Sequence, residues 1–256
     1  MELSLSQKIV RMSTHLVTAI RFMTILPLRW KAHEDGDNFP ASVIYFPVVG
    51  VLIGGLGFLL TTWSSHHFPA SVTSFLLVCF LACITGGLHL DGLADSGDGL
   101  LCSLPREKRL TIMKDSRMGA MGGIALIIVL LGKYSCLANL PGTILAHAAM
   151  LMPIGGRCAI LLVMGTVGYG RHEGGLGGLF YRRQRFILSI WGVVFLASFA
   201  FLLQPQYFVV LTLLVVSTSL LFARWCKNVL GGATGDTLGA VCELSELTVA
   251  LALNFY

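Results

Sequence analysis

"SFLLVCFLACITGGLHLDGLADSGDGLL", residues 74–101, begins as a membrane span and ends in three acids with no polar linker between. If residues 88–98 are helical, Asp91, Asp95 and Asp98 stand in an i, i+4, i+7 relation and share one face within a wedge of about 60°. Three like charges beside a bilayer repel one another and lose hydration, so something positive should stand opposite: a divalent cation, basic side chains, or both. Carboxylate oxygens suit a hard ion, and Mg²⁺ uses few protein carboxylates while completing its shell with water and substrate phosphates. The plainer alternative is a solvated helix end, unwound by Gly92, Gly97 and Gly99.

The rest of the chain fixes the class. Of 256 residues 55% are hydrophobic and only 12% charged, and the mean hydropathy is +0.79, outside the balance of a soluble domain. The composition predicts an all-α, polytopic integral membrane helical bundle in contact with a lipid bilayer. Apolar stretches of about 20 residues predict about seven transmembrane helices, near 41–63, 70–90, 119–138, 143–167, 186–203, 207–223 and 238–254. Residues 1–40 lack the pattern of a signal peptide. "LVTAIRFMTILPL" instead predicts an N-terminal interfacial helix stopped by Pro27, with a partly inserted eighth helix as the alternative. No repeat or low-complexity tract appears, so 1–256 reads as a single membrane domain, 1–40 being its cytoplasmic or interfacial segment and 41–256 the transmembrane bundle.

Charge then orients the bundle. "SSHHFPA", "NLPGT" and "QPQ" carry no Lys or Arg, whereas the alternate connections hold Arg106, Lys108, Arg109, Lys114 and Arg117, then Arg171, Arg182, Arg183 and Arg185, then Arg224 and Lys227. By the positive-inside rule these and the N-terminus face the cytoplasm, which implies a multi-pass protein of the cell (inner, cytoplasmic) membrane. The net charge of +5 is distributed loop by loop rather than along one stripe, which argues against nucleic acid as a partner. The seven cysteines show no paired spacing for a disulfide frame or zinc site.

The acids collect on the basic side. Asp236 and Glu243 in "GGATGDTLGAVCELSEL" are seven apart and share a face, and Glu243 lies in apolar sequence, where an ionisable group is expensive and usually functional. Between the two acidic groups runs "REKRLTIMKDSRMGAMGG", in which Asp115 sits between Lys114 and Arg117. Such a loop can hold phosphate, with cationic donors and backbone N–H groups at the start of the next helix. "GGATGDT" looks like a phosphate-holding turn but lacks the Lys-Ser/Thr ending of a P-loop. Arg157, in mid-span, should pair with an acid inside the bundle, and Lys133 reads as a snorkelling side chain. Arg171 and Glu173 mark a glycine-rich loop, and His89 points to another face of the acid-bearing helix.

Three motifs, "GGLHLDGLADSGDGL", "RLTIMKDSRMGAMGGIAL" and "LGGATGDTLGAVCELSEL", carry a family resemblance. In order and spacing they are similar to the cobalamin synthases, the adenosylcobinamide-GDP ribazoletransferases of late vitamin B12 assembly, across most of residues 15–254. The resemblance implies a Mg²⁺-dependent transfer. In it α-ribazole or its 5′-phosphate attacks the pyrophosphate of adenosylcobinamide-GDP, the cobinamide-side phosphate is retained, and GMP leaves. It makes Asp91, Asp95, Asp98, Asp115 and Asp236 the candidate catalytic residues. Asp91, Asp95, Asp98 and Asp236 are the candidate ligands for one or two Mg²⁺ ions. Lys114, Arg117, Arg157, Arg171 and Glu243 are the candidate substrate or phosphate contacts. Homo-oligomerisation is left open. CDP-alcohol phosphotransferases begin a related motif Asp-Gly-x-x-Ala-Arg, but here Asp95 follows Ala94. An ion-coupled transporter would predict midplane acids and repeat symmetry instead.

Overall fold

The computed structural model describes residues 5–29, 35–171, 178, 181 and 186–255. Glu173, Arg182, Arg183 and Arg185 lie outside the described residues. Among those described the chain is helical, as the composition predicts: α1 Leu5–Met23, α2 Asp35–Ser42, α3 Phe46–Ser65, α4 Ala70–Ile84, α5 Leu88–Leu101, α6 Arg106–Ile112, α7 Ala120–Ala138, α8 Gly142–Thr166, α9 Phe186–Leu203, α10 Phe208–Leu230 and α11 Gly235–Ala252. In lipid every backbone polar group needs an internal partner, so apolar sequence of this length resolves into helices.

Helices occupy all seven expected stretches, but not as seven equivalent crossings. Five helices are long and apolar enough to cross a membrane, with a broken pair, α4 and α5, as a sixth. α11 has 18 residues but carries Asp236, Glu243 and Glu246, and it lies inside the bundle. α8 is the axis: it packs against α3, α9, α10 and α11, and from Leu151 to Met164 every residue is buried. Hydrophobicity does not hold helices together in lipid, so close backbone approach must. Gly50 and Gly54 of α3 supply it, since a Cβ at Gly54 would lie 2.5 Å from the Met150 carbonyl oxygen of α8.

The 70–90 stretch departs from expectation. α4 ends at Ile84, and α5 leaves it at 88°. Gly86 and Gly87 have φ of 60° and 72°, a left-handed pair that a right-handed helix cannot contain and that glycine adopts without steric cost. Gly92, Gly97 and Gly99 do not unwind the chain; all three are buried inside α5. The acids therefore sit along a separate helix that packs against α7 and α11, rather than at the tip of a straight span.

Gly92 fixes how close α5 comes to α11, because a Cβ there would stand 2.6 Å from the Asp236 carbonyl oxygen. Gly92→Ala is expected to cost about 1–3 kcal/mol as an overpacking change. Thermal unfolding in detergent should show this as a lowered midpoint.

The basic connections converge on one face. Arg106 of α6 donates from Nε to the Leu230 carbonyl (2.7 Å) and from Nη2 to the Gly170 carbonyl (2.6 Å), tying three of them together. The opposite face joins the uncharged connections: Gln204 Nε2 donates to His147 Nδ1 at 2.7 Å, and Asn254 Nδ2 to the Cys136 carbonyl at 3.1 Å. The segment after α1 docks on the basic face through Ile25 N to Ile84 O (2.9 Å), and an Arg21–Asp35 ion pair at 3.0 Å ties α1 to α2.

Candidate active site

Asp91, Asp95 and Asp98 share the expected face of α5 but meet different partners. Asp98 accepts from the Gly119 N–H at 2.7 Å and the Gly122 N–H at 2.8 Å. It is the anion at the N-terminus of α7, where unpaired N–H groups and the helix dipole favour one. The backbone donors of "RMGAMGG", read from sequence as a phosphate cradle, are thus engaged by the protein's own carboxylate. The carboxylates of Asp91 and Asp95 have no hydrogen bond or ion pair among the described residues. Asp95 is repelled by Asp236, Asp91 and Asp98, with Arg171 offsetting part of the repulsion.

Asp236 is brought there by two loops that meet as a short parallel bridge, Tyr169 opposite Ala233. Gly170 N donates to Ala233 O at 2.7 Å, and Ala233 N to Gly168 O at 2.9 Å. Gly232 permits the approach, since a Cβ there would lie 2.3 Å from the Gly168 carbonyl oxygen. Thr234 and Thr237 then form a reciprocal capping box that opens α11, which satisfies first-turn donors and sets Asp236 in that turn. "GGATGDT" is therefore a capped helix start. Across the bridge, Arg171 Nη2 meets Asp236 Oδ2 at 2.7 Å.

Two cavities open on these acids. The wider, about 940 Å³, is lined by Asp91, Asp95, Lys114 and Asp115. The narrower, about 240 Å³, is lined by Asp91, Asp236, Arg171 and His89 among largely apolar side chains. Asp91, Phe22 and Leu88 line both, so the cavities meet there.

The loop cations divide by role. Arg106 is the clamp described above, and Arg109 donates to the Leu104 and Leu100 carbonyls at 2.6 and 2.8 Å, closing the C-terminal end of α5. Arg117 holds Asp115 through both guanidinium and backbone hydrogen bonds, which keep that exposed carboxyl down at about 2. Lys114 remains exposed beside the acids.

Arg157 and Glu243 lie away from both cavities, in a buried charge network. Lys133 Nζ donates to Glu243 at 2.6 Å and to Glu246 at 2.7 Å. Arg157 pairs with Glu246, as its mid-span position predicts, and Arg157 Nη2 lies 3.4 Å from His89 Nδ1. Two cations and two acids balance, joining α5, α7, α8 and α11. Lys133 is a correction: its side chain is 3% exposed and does not snorkel, because two carboxylates hold it inside. Glu246, an acid to which the sequence alone assigns no role, is the centre of this network. Its signal was present, since Glu243 and Glu246 are spaced i, i+3 in apolar sequence and two mid-span cations await partners.

Among the described residues no three His, Cys, Asp or Glu side chains converge as a ready-made cage. Two carboxylates free of other partners, repelled by their neighbours and open to a wide cavity, match the one or two that Mg²⁺ takes alongside substrate phosphates.

The model of the Cobalamin-5-phosphate synthase family matches residues 15–254, a range that includes every acid and cation of this site. The chain belongs to that family. Curated relatives agree along nearly their whole length. An adenosylcobinamide-GDP ribazoletransferase of Acetivibrio thermocellus is 34% identical, with 90% of this chain and 93% of the relative covered. One of Clostridium botulinum is 37% identical, covering 91% and 94%, and one of Citrobacter koseri 36%, covering 89% and 93%. No solved structure matches the chain.

Proposed function

We propose that this protein is a Mg²⁺-dependent adenosylcobinamide-GDP ribazoletransferase of the cell inner membrane, working at its cytoplasmic face. It transfers the adenosylcobinamide-phosphate moiety of adenosylcobinamide-GDP to α-ribazole or α-ribazole 5′-phosphate and releases GMP. The observation that carries the reading is the junction of two cavities at Asp91, with Asp95 and Lys114 on one side and Asp236 and Arg171 on the other. The family membership and its relatives' names support the same reaction, and the basic face on which the site opens supports the cytoplasmic side.

Asp91 and Asp95 are the carboxylates that would hold Mg²⁺, with Asp236 next to them. When bound, the ion would neutralise the pyrophosphate oxygens and the charge developing on GMP. Lys114, exposed at the wide cavity, contacts phosphate as a mobile point charge. Arg171, tethered to Asp236, offers a second cation from the other side. A ribose hydroxyl of the acceptor forms the new O–P bond at the cobinamide-side phosphorus, the bond from that phosphorus to the bridging oxygen breaks, and GMP carries off the electron pair. The hydroxyl proton passes to a carboxylate at the junction. Asp115 is a poor acceptor for it, since a group held at about 2 by Arg117 has little affinity for a proton at neutral pH.

The test uses purified protein in lipid nanodiscs with adenosylcobinamide-GDP, α-ribazole and Mg²⁺. Equal amounts of GMP and a cobalamin product are expected, ceasing with EDTA and returning with added Mg²⁺. Corrinoid movement across vesicles without GMP would instead establish a carrier.

A further inference from the structure

We infer that the narrow cavity is the acceptor subsite, and that it takes the flat benzimidazole base of α-ribazole. The inference rests on the transfer reaction proposed above and adds which substrate enters which cavity. Phe22, Phe46, Ile160, Met164 and Leu238 give this cavity an apolar wall, and its charged groups, Asp91, Asp236 and Arg171, come from α5, the start of α11 and the bridged loop. At about 240 Å³ it is below the usual range for drug-sized ligands, about 300–1,000 Å³. It suits a small bicyclic ring and excludes a corrin macrocycle.

Chemistry separates the remaining occupants. Guanine carries donors and acceptors along its edge, whereas Arg171 and Asp236 in this lining are held by each other and His89 Nδ1 faces Arg157, so much of that edge would be left unpaired against the apolar wall. A dimethyl-substituted benzimidazole has no N–H once it is ribosylated and presents methyl groups and ring faces, which such a wall accommodates. A lipid chain offers no partner to Asp91, Asp236 and Arg171, which stand in the same lining. With the base inside, the ribose reaches the charged lining, and the two cavities share Asp91. The acceptor hydroxyl then approaches the carboxylates from the narrow side and the donor pyrophosphate from the wide side, next to Lys114. This placement brings two substrates to one boundary without overlap.

The test reads each substrate separately, with full-length protein in nanodiscs. Ile160→Phe, which adds a ring to the apolar wall, should raise KM for α-ribazole about tenfold or more and change KM for adenosylcobinamide-GDP by less than about twofold. Met164→Ala, which widens the wall, should shift selectivity about tenfold toward an acceptor with a larger tricyclic base. A rise in donor KM with acceptor KM unchanged would assign the cavity to the donor and overturn the inference, as would unchanged values for both. Binding of α-ribazole alone, followed by its base fluorescence, should weaken in parallel in Ile160→Phe. That readout needs no turnover, so if wild-type protein released no GMP the proposed reaction would fail while the subsite was still judged.

Discussion

Asp91→Asn and Asp95→Asn should each lower GMP release by about 10³-fold or more, equivalent to about 4 kcal/mol of transition-state stabilisation. The substitution keeps shape and removes charge. Neither carboxylate has a hydrogen bond or ion pair among the described residues, so neither change orphans a partner there, and the thermal midpoint should stay near wild type or rise as repulsion with Asp236 is relieved. Asp98→Asn is the contrast. Its carboxylate holds the first N–H groups of α7, so that variant should lose stability as well as activity, by about 0.5–2 kcal/mol as for other lost caps. Comparable midpoints in all three would remove the distinction drawn between open and structural acids.

Lys133→Met should destabilise the bundle by about 3–5 kcal/mol, the cost of leaving a buried charge uncompensated. Lys133 is shared by Glu243 and Glu246, and Arg157 reaches only Glu246, so the loss falls on Glu243. Lys133→Met combined with Glu243→Gln removes both members of that pair and should recover most of the midpoint. The pair of variants is a double-mutant test of the network. A single Lys133→Met midpoint equal to wild type would mean that the two glutamates are neutral in the bundle.

The helices were legible because lipid leaves apolar sequence few alternatives, and the shared face of Asp91, Asp95 and Asp98 followed from helical spacing alone. The bend before that face was not. "GG" at 86–87 is compatible with several turns, and only the packing of α5 against α7 and α11 selects one. Loop cations also looked alike in sequence, yet Arg106 and Arg109 hold backbone carbonyls while Lys114 stays open, a division set by which chain ends fold nearby. The apolar cavity was hidden more deeply. Phe22, Phe46 and Met164 come from three distant segments, with Tyr169 just after the last, and nothing local marks them as neighbours. The charge network was half legible: Arg157 announced a partner, but Glu246 could be assigned only once α8 and α11 were side by side.

The acids at the cavity junction are the centre of the account, and Mn²⁺ in place of Mg²⁺ tests them most directly. Electron paramagnetic resonance of the purified protein, titrated with Mn²⁺ and adenosylcobinamide-GDP without acceptor, should show a bound-ion signal that needs the donor, carries coupling to phosphorus, and is lost in both Asp91→Asn and Asp95→Asn. The same bound signal in wild type and both variants would contradict the assignment of the metal pyrophosphate to these two carboxylates.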